Sequence, residues 1–156
     1  MRAGQSAYRS EFRNITERKE NERTAVGYIR VSTDMQATDG LSLDAQTSAI
    51  EQFCSMYGLQ LEQIHRDVLS GGKSDRPGLQ AALAMLRRGT ANTLIVVKLD
   101  RLSRSLRDVC TLVEDYFGNE RYHLLSLCGM ANTHSAAGRM VLMNLANYAQ
   151  FEREMI

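Results

Sequence analysis

Apolar positions along the chain follow two rhythms: short unbroken runs, and longer stretches in which they recur at every third or fourth place. AVGYIRV (25–31) is a run of the first kind and reads as a buried strand. Leu41, Ala45, Ala49, Ile50, Phe53, Cys54 and Tyr57 then recur at helical spacing, with Ser42 placed to cap the start and Gly58 to stop the end. LQLEQIH (59–65) predicts a second strand. SGGKSDRPG (70–78) is a loop by its Gly, Ser and Pro content, and Pro77 opens a short helix that ends at Gly89. NTLIVVK (92–98) is the clearest strand, because Leu94 to Val97 are consecutive apolar residues, as a strand covered on both faces requires; it is expected to be central in the sheet. Leu106, Val109, Cys110, Val113, Tyr116 and Phe117 form one face of a further helix closed by Gly118-Asn119, and YHLLSLCG (122–129) is a fourth strand. Strands alternating with helices predict an α/β fold with a mainly parallel central sheet flanked by helices.

The ends of the chain read differently. Residues 1–24 are charged and lack periodic apolar positions, so they are expected to be an extension outside the compact unit at 25–135. From 136 to 156 the pattern is helical but apolar on too many sides. Met140, Val141, Leu142, Met143, Leu145, Ala146, Tyr148, Ala149 and Phe151 cannot all face one core, so a second protein surface is expected to cover the remainder. No cap or breaker precedes Ile156, and the helix is expected to continue in the natural protein.

Composition narrows the class. With 156 residues, 44% of them apolar and one proline, the sequence suits a single globular domain. No apolar run is long enough to span a bilayer and no signal peptide is evident, so a cytoplasmic protein without membrane association is expected. Cys54, Cys110 and Cys128 are too scattered for a disulfide framework and are expected to be buried, reduced thiols; His65, His123 and His134 have no metal-type neighbour at ligand spacing. Residues 1–24 hold six basic and four acidic residues, whereas 25–156 hold thirteen and fourteen. A nucleic-acid reading must therefore come from where individual arginines sit.

Those arginines cluster at the expected strand ends, where α/β sheets build their sites. The first strand leads into Arg30-Val31-Ser32, the second into Arg66-Asp67, and the third into Lys98-Leu99-Asp100-Arg101-Leu102-Ser103-Arg104; Arg76 comes from the Gly/Ser loop. A hydroxyl among guanidinium groups suits attack on a backbone phosphate, whose oxygens carry the developing negative charge. Arginines beside Ser32 would favour its alkoxide. Taken singly, Ser32 reads equally well as a turn cap and Arg30 as the ion-pair partner of Asp67. Gly72-Lys73-Ser74 lacks the upstream glycine of a nucleotide-binding loop, and the absence of a GxSxG elbow argues against a Ser-His-Asp hydrolase.

As a set, Tyr28-Ile29-Arg30-Val31-Ser32-Thr33 with Gln36, Ser42-Leu43-Asp44-Ala45-Gln46, Ser74-Asp75-Arg76-Pro77-Gly78-Leu79, Lys98 through Arg104, and Ala149-Gln150-Phe151-Glu152-Arg153-Glu154 resemble the serine recombinase family. This is the resolvase and invertase group, which also includes large serine integrases. The resemblance runs from about Ala25 to Ile156. It implies that 25–135 is a recombinase catalytic domain and 136–156 the start of a long, here truncated, dimerisation helix. It also implies that Ser32 attacks a DNA phosphate to give a 5′-phosphoserine bond and a free 3′-hydroxyl, without metal or cofactor. Arg30, Arg76, Arg101 and Arg104 would bind the scissile phosphate; Asp100 and Asp67 would hold those arginines and assist proton transfer. Tyr28 and Gln36 would support the site, with Gln46, Lys98 and Arg153 as further DNA-binding or supporting positions. The implied partners are DNA and further copies of the chain, a homodimer assembling to a tetramer. Two other readings remain: a non-catalytic dimerisation or regulatory fragment, and a metal-dependent nuclease, which the scattered carboxylates disfavour.

Overall fold

The computed structural model describes residues 23–32, 42–69, 75–102, 106–118, 121–128 and 132–155. Among the described residues, four strands, β1 (Thr24–Ser32), β2 (Gln60–Leu69), β3 (Thr93–Val96) and β4 (His123–Ser126), alternate with five helices. These are α1 (Leu43–Tyr57), α2 (Pro77–Arg88), the short turn α3 (Leu99–Leu102), α4 (Leu106–Leu112), which runs on as a π-helical segment over Val113–Phe117, and α5 (Ala136–Glu154). All strand pairs are parallel, in the order β2-β1-β3-β4. β3 is thus an interior strand, and all four of its residues are buried.

Helix boundaries follow the chemistry expected of them. The Ser42 hydroxyl accepts from the Ala45 N–H at the start of α1, and Gly58 and Gly89 adopt φ of 68° and 76° to end α1 and α2, conformations that cost other residues a Cβ clash. The two faces of the sheet carry separate cores. Val26, Tyr28, Leu94, Val96 and Leu124 pack with Leu79, Leu83 and Leu86 of α2, Val109, Val113 and Phe117, and Leu142 of α5. Ala25, Ile29, Ile95, Val97 and Leu125 pack with Ile50, Phe53 and Cys54 of α1.

Three expectations need correction. β2 does not stop at His65 but continues to Leu69, so Arg66 and Asp67 lie within it. The apolar run ends at His65, yet pairing with β1 holds the strand together through Leu69. β3 ends at Val96, earlier than Lys98, because the chain turns into α3. Cys128 is exposed, whereas Cys54 and Cys110 are buried. Burial pushes the Cys54 thiol up to about 11, so the unreactive thiol form prevails at ordinary pH. Native protein treated with iodoacetamide at about pH 8 should label at Cys128 and spare Cys54 and Cys110 until denaturant is added. Labelling of Cys54 at the same rate as Cys128, read by peptide mass, would contradict this packing.

Of the residues singled out in the sequence, Thr33, Gln36, the loop at 70–74, Ser103 and Arg104, with most of the 1–24 extension, lie outside the described residues, and of Ser32 the structure describes only the backbone. No helix among the described residues is long and apolar enough to cross a membrane.

Candidate active site

The strand order places a switch point at the carboxyl ends of β1 and β3: from β1 the chain moves outward to β2, then returns to β3 on the other side. The crevice outside such a switch point is where open parallel sheets bind ligands. Ser32 is the last residue of β1, and α3 follows β3 directly, so both segments border that crevice.

β1 reaches this edge with little help from β3, whose register partners on β1 end at Gly27. At Arg30 the side-chain amide of Gln46, from α1, takes the place of a neighbouring strand. Its Oε1 accepts from the Arg30 N–H at 3.4 Å and its Nε2 donates to the Arg30 carbonyl at 3.3 Å. Gln46 is fully buried. Gln46→Ala would leave a buried peptide N–H and C=O without these bonds, and it should cost about 2–3 kcal/mol in denaturant unfolding, with a parallel loss of activity from misplacement of Arg30. A loss under about 0.5 kcal/mol would show that Gln46 does not hold the strand.

Two arginines from distant parts of the chain converge on α3. Arg30 Nη2 donates to the Asp100 carbonyl at 2.6 Å, and Arg76 Nη1 donates to the Leu102 carbonyl. Arg76 Nη2 also lies 3.9 Å from the exposed Asp108 carboxylate, a separation at which an ion pair adds little. Between those two carbonyls Arg101 is only 1% exposed, the largest fully buried side chain among the described residues, and Arg30 is 6% exposed. Guanidinium groups held in a partly dry crevice act on an anion far more strongly than the same groups in water.

Asp67, in register with Arg30, is buried on the face shared with Tyr28 and α2. Its carboxylate accepts from the Tyr28 hydroxyl at 2.9 Å and from the first backbone N–H groups of α2, Gly78 at 2.8 Å and Leu79 at 3.1 Å. Arg76, the N-cap of that helix, makes no side-chain cap bond, so Asp67 caps α2 from across the loop. Burial, followed by the charge of Asp67, raises the Tyr28 phenol far above its ordinary range, so Tyr28 stays a protonated donor.

The structure thus brings together Tyr28, Arg30, Gln46, Asp67, Arg76 and Arg101 around the end of β1. Asp100 is exposed and contributes its backbone carbonyl to Arg30, where the resemblance implied its carboxylate. Lys98 is half-buried, its carbonyl accepting from the Arg101 N–H. Of Arg153 the structure describes only the backbone, within α5, well along the chain from this edge. Three participants were given no role in the sequence reading: the carbonyls of Asp100 and Leu102, which leave no side-chain signature, and Gly78, quoted only as part of a motif, whose signal is a glycine in a helical first turn that better helix formers would fill.

Comparison with known proteins assigns the chain to a family. Residues 25–156 match the family described as the resolvase N-terminal domain, and the chain belongs to that family. It is 40% identical over 132 residues to the serine recombinase gin of Escherichia phage Mu, and 39% identical over 132 residues to the DNA-invertase hin of Salmonella typhimurium. Both alignments cover 84% of this chain but 61% and 62% of those relatives, so the chain spans about three fifths of their length. The N-terminal catalytic domain of TP901-1 integrase superimposes with a TM-score of 0.76 at 36% identity, covering 85% of this chain and 98% of that domain. A resolvase-family recombinase from Streptococcus pneumoniae shares the fold at 24% identity, with a TM-score of 0.64.

Proposed function

We propose that this domain is the catalytic unit of a site-specific DNA recombinase that works through a covalent bond to Ser32. The Ser32 hydroxyl oxygen attacks a backbone phosphorus, the bond from phosphorus to the 3′-oxygen breaks, and the serine proton is lost while one is gained by the departing 3′-hydroxyl. The phosphate stays on the 5′ end as a phosphoserine ester. After strand exchange, a 3′-hydroxyl attacks the ester and releases the serine, so the phosphodiester is restored without an external energy source. Arg30, Arg76, Arg101 and Arg104 bind the phosphate, and Tyr28, Gln36 and Asp67 support them; Lys98 and Arg153 are further DNA-facing candidates.

The observation that carries this reading is the convergence of Arg30 and Arg76 on the carbonyls that flank buried Arg101, at the strand end that terminates in Ser32. Such a nest of fixed cations matches the charge that spreads over phosphate oxygens during displacement. Similarity to relatives named as a serine recombinase and a DNA-invertase supports the same chemistry.

The test uses the chain fused to a zinc-finger DNA-binding domain and a pool of nicked duplexes in which finger sites flank a randomised spacer. Denaturation-resistant protein–DNA adducts should form, survive chelator, and vanish in Ser32→Ala. Adducts that persist in Ser32→Ala would end the nucleophile assignment, and no adduct from the unsubstituted chain would favour a non-catalytic dimerisation module.

Self-association belongs to the same proposal. Along α5, Leu142 is buried, but Met140, Met143, Tyr148 and Phe151 are 65%, 64%, 56% and 57% exposed. So much apolar surface on one helix suits a homodimer that assembles further to a tetramer. Sedimentation equilibrium should show concentration-dependent association that Met140→Glu with Met143→Glu weakens at least about 10-fold; a monomer at every concentration would refute it.

A further inference from the structure

The Asp67 carboxylate links the central sheet to the helix that carries Arg76, and the contact is closer than a side chain would allow. A methyl group at Gly78 would fall 2.6 Å from the Arg66 carbonyl oxygen, 2.9 Å from its carbon and 2.9 Å from Asp67 Oδ1. None of these atoms can yield cheaply. Arg66 is paired with Ile29 in the β1–β2 ladder, and Asp67 Oδ1 accepts the Gly78 N–H itself. Any side chain at position 78 must therefore push the first turn of α2 away from β2. Arg76 moves with that turn, because its carbonyl accepts the helical bond from the Gln80 N–H.

We infer that Gly78 is a positioning residue for Arg76. By omitting a Cβ it lets α2 dock on Asp67, and this docking sets where the Arg76 guanidinium stands relative to the end of β1. The Tyr28 hydroxyl, bonded to the other Asp67 oxygen at 2.9 Å, fixes that carboxylate to β1, so the chain from Tyr28 through Asp67 and Gly78 to Arg76 is continuous. The inference rests on the proposed role of Arg76 in binding the scissile phosphate. Displacement by about 1 Å of a group that contacts the reacting phosphate is enough to cost on the order of 100-fold in rate.

A double-mutant cycle on adduct formation tests this, using the same zinc-finger fusion and nicked duplex pool. Gly78→Ala should slow adduct formation about 100-fold and Arg76→Ala at least as much. The double variant should be within about 3-fold of Arg76→Ala alone, because once the guanidinium is gone its placement no longer matters. Free guanidinium ion added to the reaction should rescue Arg76→Ala and the double variant alike. A loss in the double variant equal to the product of the single losses would show that Gly78 is merely structural, and a harmless Gly78→Ala would also overturn the inference. Should Gly78→Ala fail to fold, Asp67→Asn, which keeps side-chain size while weakening the attachment of α2, replaces it in the cycle with the same criterion. Failure of the proposed function is distinguishable: it appears as adducts that survive Ser32→Ala, or as none from the unsubstituted fusion.

Discussion

Arg30→Lys is expected to slow covalent capture of DNA by about 100- to 1,000-fold while the protein remains folded. Lysine keeps the charge but replaces a planar fork of N–H donors with a flexible point charge. At position 30 the fork is used twice in the proposed mechanism. One Nη donates to the Asp100 carbonyl at 2.6 Å, which fixes the plane of the group against α3, and that fixed plane presents the guanidinium to the phosphate. An ammonium can satisfy the carbonyl or the phosphate, but it cannot hold both in one rigid geometry. The check is single-turnover adduct formation, with thermal melting as the control for folding. Activity within about 3-fold of the unsubstituted protein would reduce Arg30 to a structural ion and would remove one of the site's central groups.

Gly138→Ala is expected to be the most damaging of the small substitutions for stability, costing roughly 4 kcal/mol or more, or preventing folding. A Cβ there would sit 1.8 Å from the Asn132 carbonyl oxygen and 2.7 Å from its carbon, well inside contact distance and against backbone. That carbonyl cannot swing aside without loss, since it accepts from both the N–H and the hydroxyl of Ser135, whose Oγ in turn caps α5 by accepting from the Gly138 N–H at 2.9 Å. Nearby, Thr133 accepts from the Leu124 N–H and so ties the same segment to β4. Ser135→Ala removes the cap alone and should cost only about 1 kcal/mol. Denaturant unfolding of the two variants side by side distinguishes a steric requirement from a capping one; equal, small losses would show that α5 starts with room to spare.

Much of the fold was legible because its signals are local. Ser42 and Gly58 bracket α1, Pro77 and Gly89 bracket α2, and the apolar run from Leu94 needs cover on both sides, so alternation alone led to a parallel sheet. The continuation of β2 through Arg66 and Asp67 was not legible, since those residues carry no apolar signal and are held in the strand by pairing with Ile29 and Arg30. The π-helical segment at Val113–Phe117 likewise has no mark in a pattern read as one continuous helix. At the site, residue types pointed to Ser32 and the arginines as candidates, but not to how Arg30 and Arg76 are held. Side-chain to backbone bonds, such as Arg30 to Asp100, Arg76 to Leu102 and Gln46 to Arg30, depend on which carbonyls tertiary packing leaves exposed to them. Asp67 shows the same limit: its residue type suggested a partner for arginine, while its observed bonds serve Tyr28 and the start of α2.

The most direct measurement of the central claim is to digest the protein–DNA adduct, isolate the nucleotide-bearing peptide and locate the modified atom by fragmentation mass spectrometry. A phosphodiester remnant, joined to the DNA through its 5′ end and carried on Ser32, is the result this account predicts. A remnant on any other residue would contradict it.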